Sequence, residues 1–79
     1  MLTLYVKSGC LFCAKVLATG HELGFEFDER NIADPGVLAE LIERGGKHQV
    51  PFLIDGDMDV QMYESDDIVD YLRSRAGTV

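Results

Sequence analysis

The segment Cys10-Leu11-Phe12-Cys13 constrains this chain most, through its position as much as its content. It directly follows a short apolar run, residues 2–6, that reads as a buried strand. It directly precedes residues 14–23, whose apolar positions have helical spacing and which close at Gly24. A cysteine at a strand-to-helix junction faces helix-terminal amides, and these favour thiolate over thiol. The second cysteine lies one helical turn on, near enough to close a disulfide or reopen it. The pattern predicts a redox switch.

Two other uses of a cysteine pair fit less well. As a structural staple the bridge would close a very short loop and remove little entropy from the unfolded chain. As zinc ligands two cysteines supply half a site, and His21 and His48 are too widely separated for finger-type spacing.

The 79 residues suffice for one domain spanning 1–79 and not for two. A domain of this size buries about 60% of its unfolded surface. With 47% hydrophobic and 27% charged residues, the composition is that of a soluble globular protein, not a disordered one. No apolar stretch approaches the roughly 18 residues of a membrane helix. The N-terminus shows no basic segment followed by a long apolar one, so the expected location is cytoplasmic, where thiols are kept reduced. The formal net charge of −7 argues against nucleic-acid binding, which needs a basic face. Seven acids between Asp55 and Asp70 run without a Lys or Arg until Arg73. They read mainly as a solvated hairpin tip followed by acids in the first turn of a helix; an edge for a basic partner is the lesser reading.

Residues 25–29 alternate apolar and acidic side chains and read as a second strand. Residues 31–35 form a turn-rich connection, with Asp34 as cap and Pro35 at the first helical position. A helix over about 36–44 ends at Gly45-Gly46. Residues 51–54 form an apolar strand, Asp55-Gly56-Asp57 a hairpin turn, and residues 58–62 a weaker returning strand. A last helix starts at Ser65, buries Ile68, Val69 and Leu72, and stops at Gly77. The order strand, helix, strand, helix, strand, strand, helix predicts an α/β fold. A parallel crossover and a hairpin would build one mixed four-stranded sheet with helices packed on it.

This pattern resembles the thioredoxin fold and, within it, the glutaredoxin family. The likeness covers nearly the whole chain. It rests on Lys7-Ser8-Gly9-Cys10-Leu11-Phe12-Cys13, on Val50-Pro51, and on Ser65-Asp66-Asp67 opening the last helix. The chain departs from that family in having Leu11 where proline is common. It also has Gln49-Val50-Pro51 for the frequent Thr-Val-Pro, and Tyr63-Glu64 where a Gly-Gly pair is frequent. Glu64-Ser65 before the last helix is similar to the N-terminal domain of glutathione transferases, a related fold. These 79 residues hold no helical second domain, which counts against a transferase.

The resemblance implies a glutathione-dependent thiol–disulfide oxidoreductase. Cys10 would attack a glutathione mixed disulfide and become glutathionylated; a second glutathione, or Cys13, would release it. Lys7 would add positive charge beside the sulfur and hold an anionic substrate. A cis bond after Val50 would place the backbone around Val50 and Pro51 where glutathione could add like a short strand. Ser65 reads from the sequence as an N-cap. The resemblance adds that the amides at Ser65 and Asp66 take the γ-glutamyl carboxylate, and that Asp66 meets the α-ammonium. Phe12 would cover the sulfur, contact a target or simply pack. Gln49, Lys47 and Arg44 are candidate contacts to the glycyl carboxylate. His48 reads as a loop residue and His21 as a helix-end residue, while Tyr5, Phe25, Phe27 and Phe52 read as sheet packing.

No bound cofactor or metal is expected, and glutathione serves as co-substrate. The partners implied are glutathione and glutathionylated or disulfide-bearing proteins, not nucleic acid or membrane, and the chain is expected to be a monomer. The potential would lie around −200 to −230 mV. Two alternatives stand beside this reading. One is a redoxin reduced by thioredoxin reductase. The other is a dimer in which Cys10 and glutathione from two subunits hold a two-iron, two-sulfur cluster, against which Cys13 and bulky Leu11 weigh.

Overall fold

Strand β1 (Leu2–Val6) is an inner strand, and its composition explains why. Leu2, Leu4, Tyr5 and Val6 are all buried, so side chains on both of its faces need cover. In a computed structural model that describes residues 1–77, helix α1 (Leu11–Glu22) leads from it to β2 (Phe27–Asn31). Next come α2 (Val37–Gly45), the hairpin strands β3 (Phe52–Asp55) and β4 (Val60–Met62), and α3 (Ser65–Arg75). The sheet order is β2-β1-β3-β4. β1 runs parallel to β2 with Leu2 opposite Phe27, and antiparallel to β3 with Leu2 opposite Asp55. β3 pairs antiparallel with β4, Leu53 opposite Met62. The expected element order and mixed four-stranded sheet are both present, in a thioredoxin-like arrangement. Among the described residues, no helix is long and apolar enough to cross a membrane.

Two apolar clusters hold the layers together. One joins Leu2, Leu4, Val6 and Leu53 of the sheet to Cys13 and Val16 of α1 and Ile68, Val69 and Leu72 of α3. The other is smaller and joins Tyr5 and Phe52 to Val37 and Leu41 of α2. Each fully buried aliphatic side chain contributes about 1.5–3 kcal/mol. That burial supports helices of only 9 to 12 residues, too short to persist alone.

Several boundaries differ from the expected ones. α1 begins at Leu11, three residues early, because the exposed Leu11 and Phe12 add nothing to an apolar period. β2 begins at Phe27, not Phe25, because its register is set by pairing with β1 and Phe25 closes the helix with an N–H bond to Gly20. Asp34 does not cap α2. Asn31 instead closes an Asx turn onto the Ala33 N–H, and the cap position falls to Gly36 in a left-handed conformation (φ 81°). β3 starts at Phe52 and runs to Asp55, and β4 is shorter than expected, since Met58 and Asp59 belong to the turn. Ser65 is the first helical residue and is buried, not the N-cap; Glu64 holds that position without a side-chain cap bond.

Away from the cysteines, polar groups tie elements together. Asp55 is fully buried and accepts from Tyr71 Oη at 2.6 Å and the Asp57 N–H at 3.1 Å, with Arg75 Nε at 3.2 Å. Burial alone would raise its pKa, but these partners outweigh it and hold the carboxyl below its ordinary value. Burial, then the Asp55 hydrogen bond, push Tyr71 up to about 12. Tyr5 does more than pack: its hydroxyl bonds Glu40, which also pairs with Arg30 at 2.9 Å. Burial followed by that bond raises Tyr5 to about 12. The Tyr5 bond, together with Arg30, lowers Glu40 despite an opposing desolvation.

Candidate functional site

The loop between β1 and α1 turns back on itself through a Cys10 N–H to Lys7 C=O bond at 3.3 Å, with Gly9 at φ 78°. Cys10 thereby occupies the N-cap of α1, and its Sγ accepts the Cys13 N–H at 3.2 Å. A sulfur in this position takes the part that a serine or aspartate oxygen plays at other helix starts. Helix-terminal amides there favour negative charge. Cys10 is half-buried and Cys13 is 2% exposed, both as free thiols. Burial, then the hydrogen bond with Cys10, push the Cys13 thiol up to about 12. Cys13 is therefore a neutral thiol at physiological pH, sealed behind its partner.

Two clefts flank this turn. One, of about 200 Å³, is lined by Phe12, Gln49, Val50, Pro51, Glu64 and Ser65. The other, of about 260 Å³, is lined by Lys7, Ser8, Cys10, Cys13 and Asn31 among others. The turn 10–13 supplies wall to both. The residues expected to grip a peptide (Gln49, Val50, Pro51, Ser65) thus come together with Phe12, which is 64% exposed. Lys7 lies with the cysteines on the second cleft. The Val50–Pro51 bond is cis, and Val50 packs against both apolar clusters.

Three expected contacts sit elsewhere. Asp66 lines neither cleft; it pairs with Lys15 of α1 at 2.7 Å, and that hydrogen bond lowers its carboxyl. Arg44 belongs to a polar recess with Thr3, Asp28, Arg30 and Glu40. The Lys47 ammonium stands 5.4 Å over the Tyr63 ring. Sequence reasoning did not include Glu64 among the site residues, although it lines the first cleft and accepts from Gln49 Nε2 at 3.2 Å. Its backbone has φ 50° and ψ 112°, a region that costs a non-glycine residue about 1–3 kcal/mol. The Glu64-Ser65 pair was the available signal for it. Among the described residues, no group of three or more His, Cys, Asp or Glu side chains gathers that could hold a metal ion.

Residues 4–79 match the family described as glutathione S-transferase, N-terminal domain. The chain belongs to that family. A glutathione S-transferase from the Antarctic clam Laternula elliptica is similar over 99% of the chain, at 32% identity and a TM-score of 0.82. A glutathione S-transferase from Methylobacillus flagellatus with glutathione bound is 25% identical over 95% of the chain, with a TM-score of 0.77. A Sulfitobacter glutathione transferase homologue, also with bound glutathione, shares the fold at a TM-score of 0.78, 23% identity and 98% coverage. The chain spans 36%, 37% and 38% of those three proteins' lengths, respectively. No curated protein matches the sequence. Of the two likenesses read from the sequence, the one carried by Glu64-Ser65 is the family found.

Proposed function

We propose that this transferase-family domain binds glutathione and uses it in thiol–disulfide exchange, with Cys10 as nucleophile. The observation that carries this is the cysteine pair itself: an accessible sulfur at a helix N-cap, one turn from a buried neutral thiol. Cys10 thiolate attacks the glutathione sulfur of a mixed disulfide. A Cys10–glutathione disulfide forms, the original S–S bond breaks, and the other thiol leaves as a thiolate that takes a proton from water. A second glutathione thiolate then attacks the bound glutathione sulfur, releasing oxidised glutathione and restoring Cys10 thiolate. One free glutathione thiol is consumed per mixed disulfide: its sulfur and the glutathione already in that disulfide leave together as oxidised glutathione, and the other thiol is left reduced. With a protein disulfide, Cys13 attacks the Cys10 sulfur of the mixed disulfide, its proton going to the departing protein thiolate. A Cys10–Cys13 disulfide forms as the Cys10–protein bond breaks, and two glutathione thiols then reduce it and leave as oxidised glutathione. The cleft of Phe12, Gln49, Val50, Pro51, Glu64 and Ser65 is proposed to seat glutathione. The first amides of α3, which no side chain caps, would receive a carboxylate.

Family membership favours a second reading, transfer of glutathione to an electrophile. The two separate at Cys10→Ser. A hydroxyl can still hydrogen-bond a glutathione thiolate and support conjugation, but it cannot form a mixed disulfide. The test follows glutathione oxidation while the protein reduces a small glutathione mixed disulfide, alongside conjugation to an aryl halide. Disulfide reduction lost in Cys10→Ser supports the first reading. Conjugation without any disulfide reduction in the wild type would replace it with the second.

A further inference from the structure

We infer that Tyr63 sets the width of the Phe12–Ser65 cleft and is a positioning residue for glutathione, an inference that rests on the function proposed above. Besides Phe12, the cleft has two walls from distant parts of the chain: Gln49, Val50 and Pro51 before β3, and Glu64 and Ser65 at the start of α3. Tyr63 touches both. It is joined covalently to Glu64, and its hydroxyl reaches the opposite segment. There the hydroxyl donates to the Lys47 carbonyl and accepts the Lys47 N–H, each at 3.1 Å. Lys47 stands two residues before Gln49, so one hydroxyl satisfies both backbone groups at the root of that wall.

The ring cannot drift to accommodate the loop. It stacks on buried Phe52 with centroids 4.4 Å apart, and the Lys47 ammonium covers it at 5.4 Å. Gly45 completes the fit, because a Cβ at that position would collide with the Tyr63 hydroxyl. The last residue of α2 is therefore small where the hydroxyl must pass. Lys47 is exposed, so water can replace both hydrogen bonds when the hydroxyl is removed, and little stability goes with them. What goes is the fixed spacing between the walls. A tripeptide held across them loses affinity, while the sulfur chemistry at Cys10 is untouched.

The experiment compares wild type, Tyr63→Phe and Gly45→Ala in the mixed-disulfide assay, with hydrogen exchange of the backbone amides and alkylation of Cys10 by iodoacetamide. Losing two hydrogen bonds at one locus should raise KM for the glutathione substrate about three- to tenfold. kcat and the alkylation rate should stay within about twofold of wild type, and the Lys47 amide should exchange faster. Gly45→Ala should raise KM in the same direction by displacing the hydroxyl. An unchanged KM in an active Tyr63→Phe protein overturns the inference and leaves the functional reading intact. So does a KM rise accompanied by an equal fall in kcat and in thermal stability, the mark of a merely structural residue. A wild type with no turnover of the mixed disulfide overturns the functional reading, and the inference with it.

Discussion

The two ends of the sheet have been built to different rules. At the end where β1 finishes and β3 starts, Cys10 is half-buried, Leu11 and Phe12 project, and Glu64 carries a left-handed backbone. Two clefts open there. At the opposite end, Asp55 is sealed and engaged by a tyrosine, an arginine and a backbone amide, and the N-terminal ammonium pairs with Asp57 at 2.7 Å. A 79-residue domain has about 4–12 kcal/mol of net stability. Placing satisfied pairs at one end lets the other keep exposed sulfur and strained backbone without unfolding. α3 links the two ends: it opens at Ser65 beside the cleft, and its Tyr71 and Arg75 close on Asp55.

If this division is real, substitutions at the two ends should separate activity from stability. The largest effect is expected at Cys10→Ser: no measurable disulfide reduction, with unfolding free energy within about 0.5 kcal/mol of wild type. A large loss of stability in that variant would mean that the thiol end also anchors the fold. Asp55→Ala should show the reverse. It strands the Tyr71 hydroxyl and Arg75, costing about 3 kcal/mol in urea unfolding. Iodoacetamide should still alkylate Cys10 at the wild-type rate under folding conditions; slower alkylation would show that the ends communicate.

Acid should loosen two carboxylate networks in a smaller and graded way, that of Asp55 at the anchor and that of Glu40 with Tyr5 and Arg30. Asp55 and Glu40 are both held below their ordinary values of 3.8 and 4.5. Lowered values in the folded state mean that their contribution is complete above those pH values and is lost as pH falls through the folded pKa. The urea midpoint should therefore be flat near neutrality and drop below about pH 4, and Asp55→Ala should flatten that drop. In the alkaline direction Tyr5 and Tyr71, raised to about 12, contribute below pH 10 and stop contributing as pH passes 12. The smallest effect should come from Cys13→Ser, which retains glutathione-dependent reduction of a small mixed disulfide and slows only protein disulfides. A Cys13→Ser protein as inactive as Cys10→Ser would reassign the nucleophile.

Much of this architecture was legible in the residues. Apolar runs, helical spacing and glycine stops gave the order of elements, because each depends on neighbours in sequence. Boundaries failed where long-range pairing decides them, as when β1 pulls the start of β2 from Phe25 to Phe27. They failed too where backbone geometry overrides side-chain preference, as when Glu64 leaves Ser65 inside the helix. The cysteines, Phe12, Gln49, Val50, Pro51 and Ser65 were identifiable as site candidates, but their division between two clefts was not. Lys15 meets Asp66 across 51 positions and Tyr63 meets Lys47 across 16. No local pattern encodes either contact. The family was half visible: the cysteine motif pointed to glutaredoxins, while the less conspicuous Glu64-Ser65 pointed to the domain that residues 4–79 match.

The sealing of Cys13 has a bearing on chemical damage. A peroxide diffusing in from solvent meets Cys10 and finds its neighbour covered. A sulfenic acid formed at the outer sulfur has a protonated thiol one turn away with which to condense, expelling water before harsher oxidation proceeds. Such a pair fails into a bridge that thiol exchange can reopen, not into an irreversible acid.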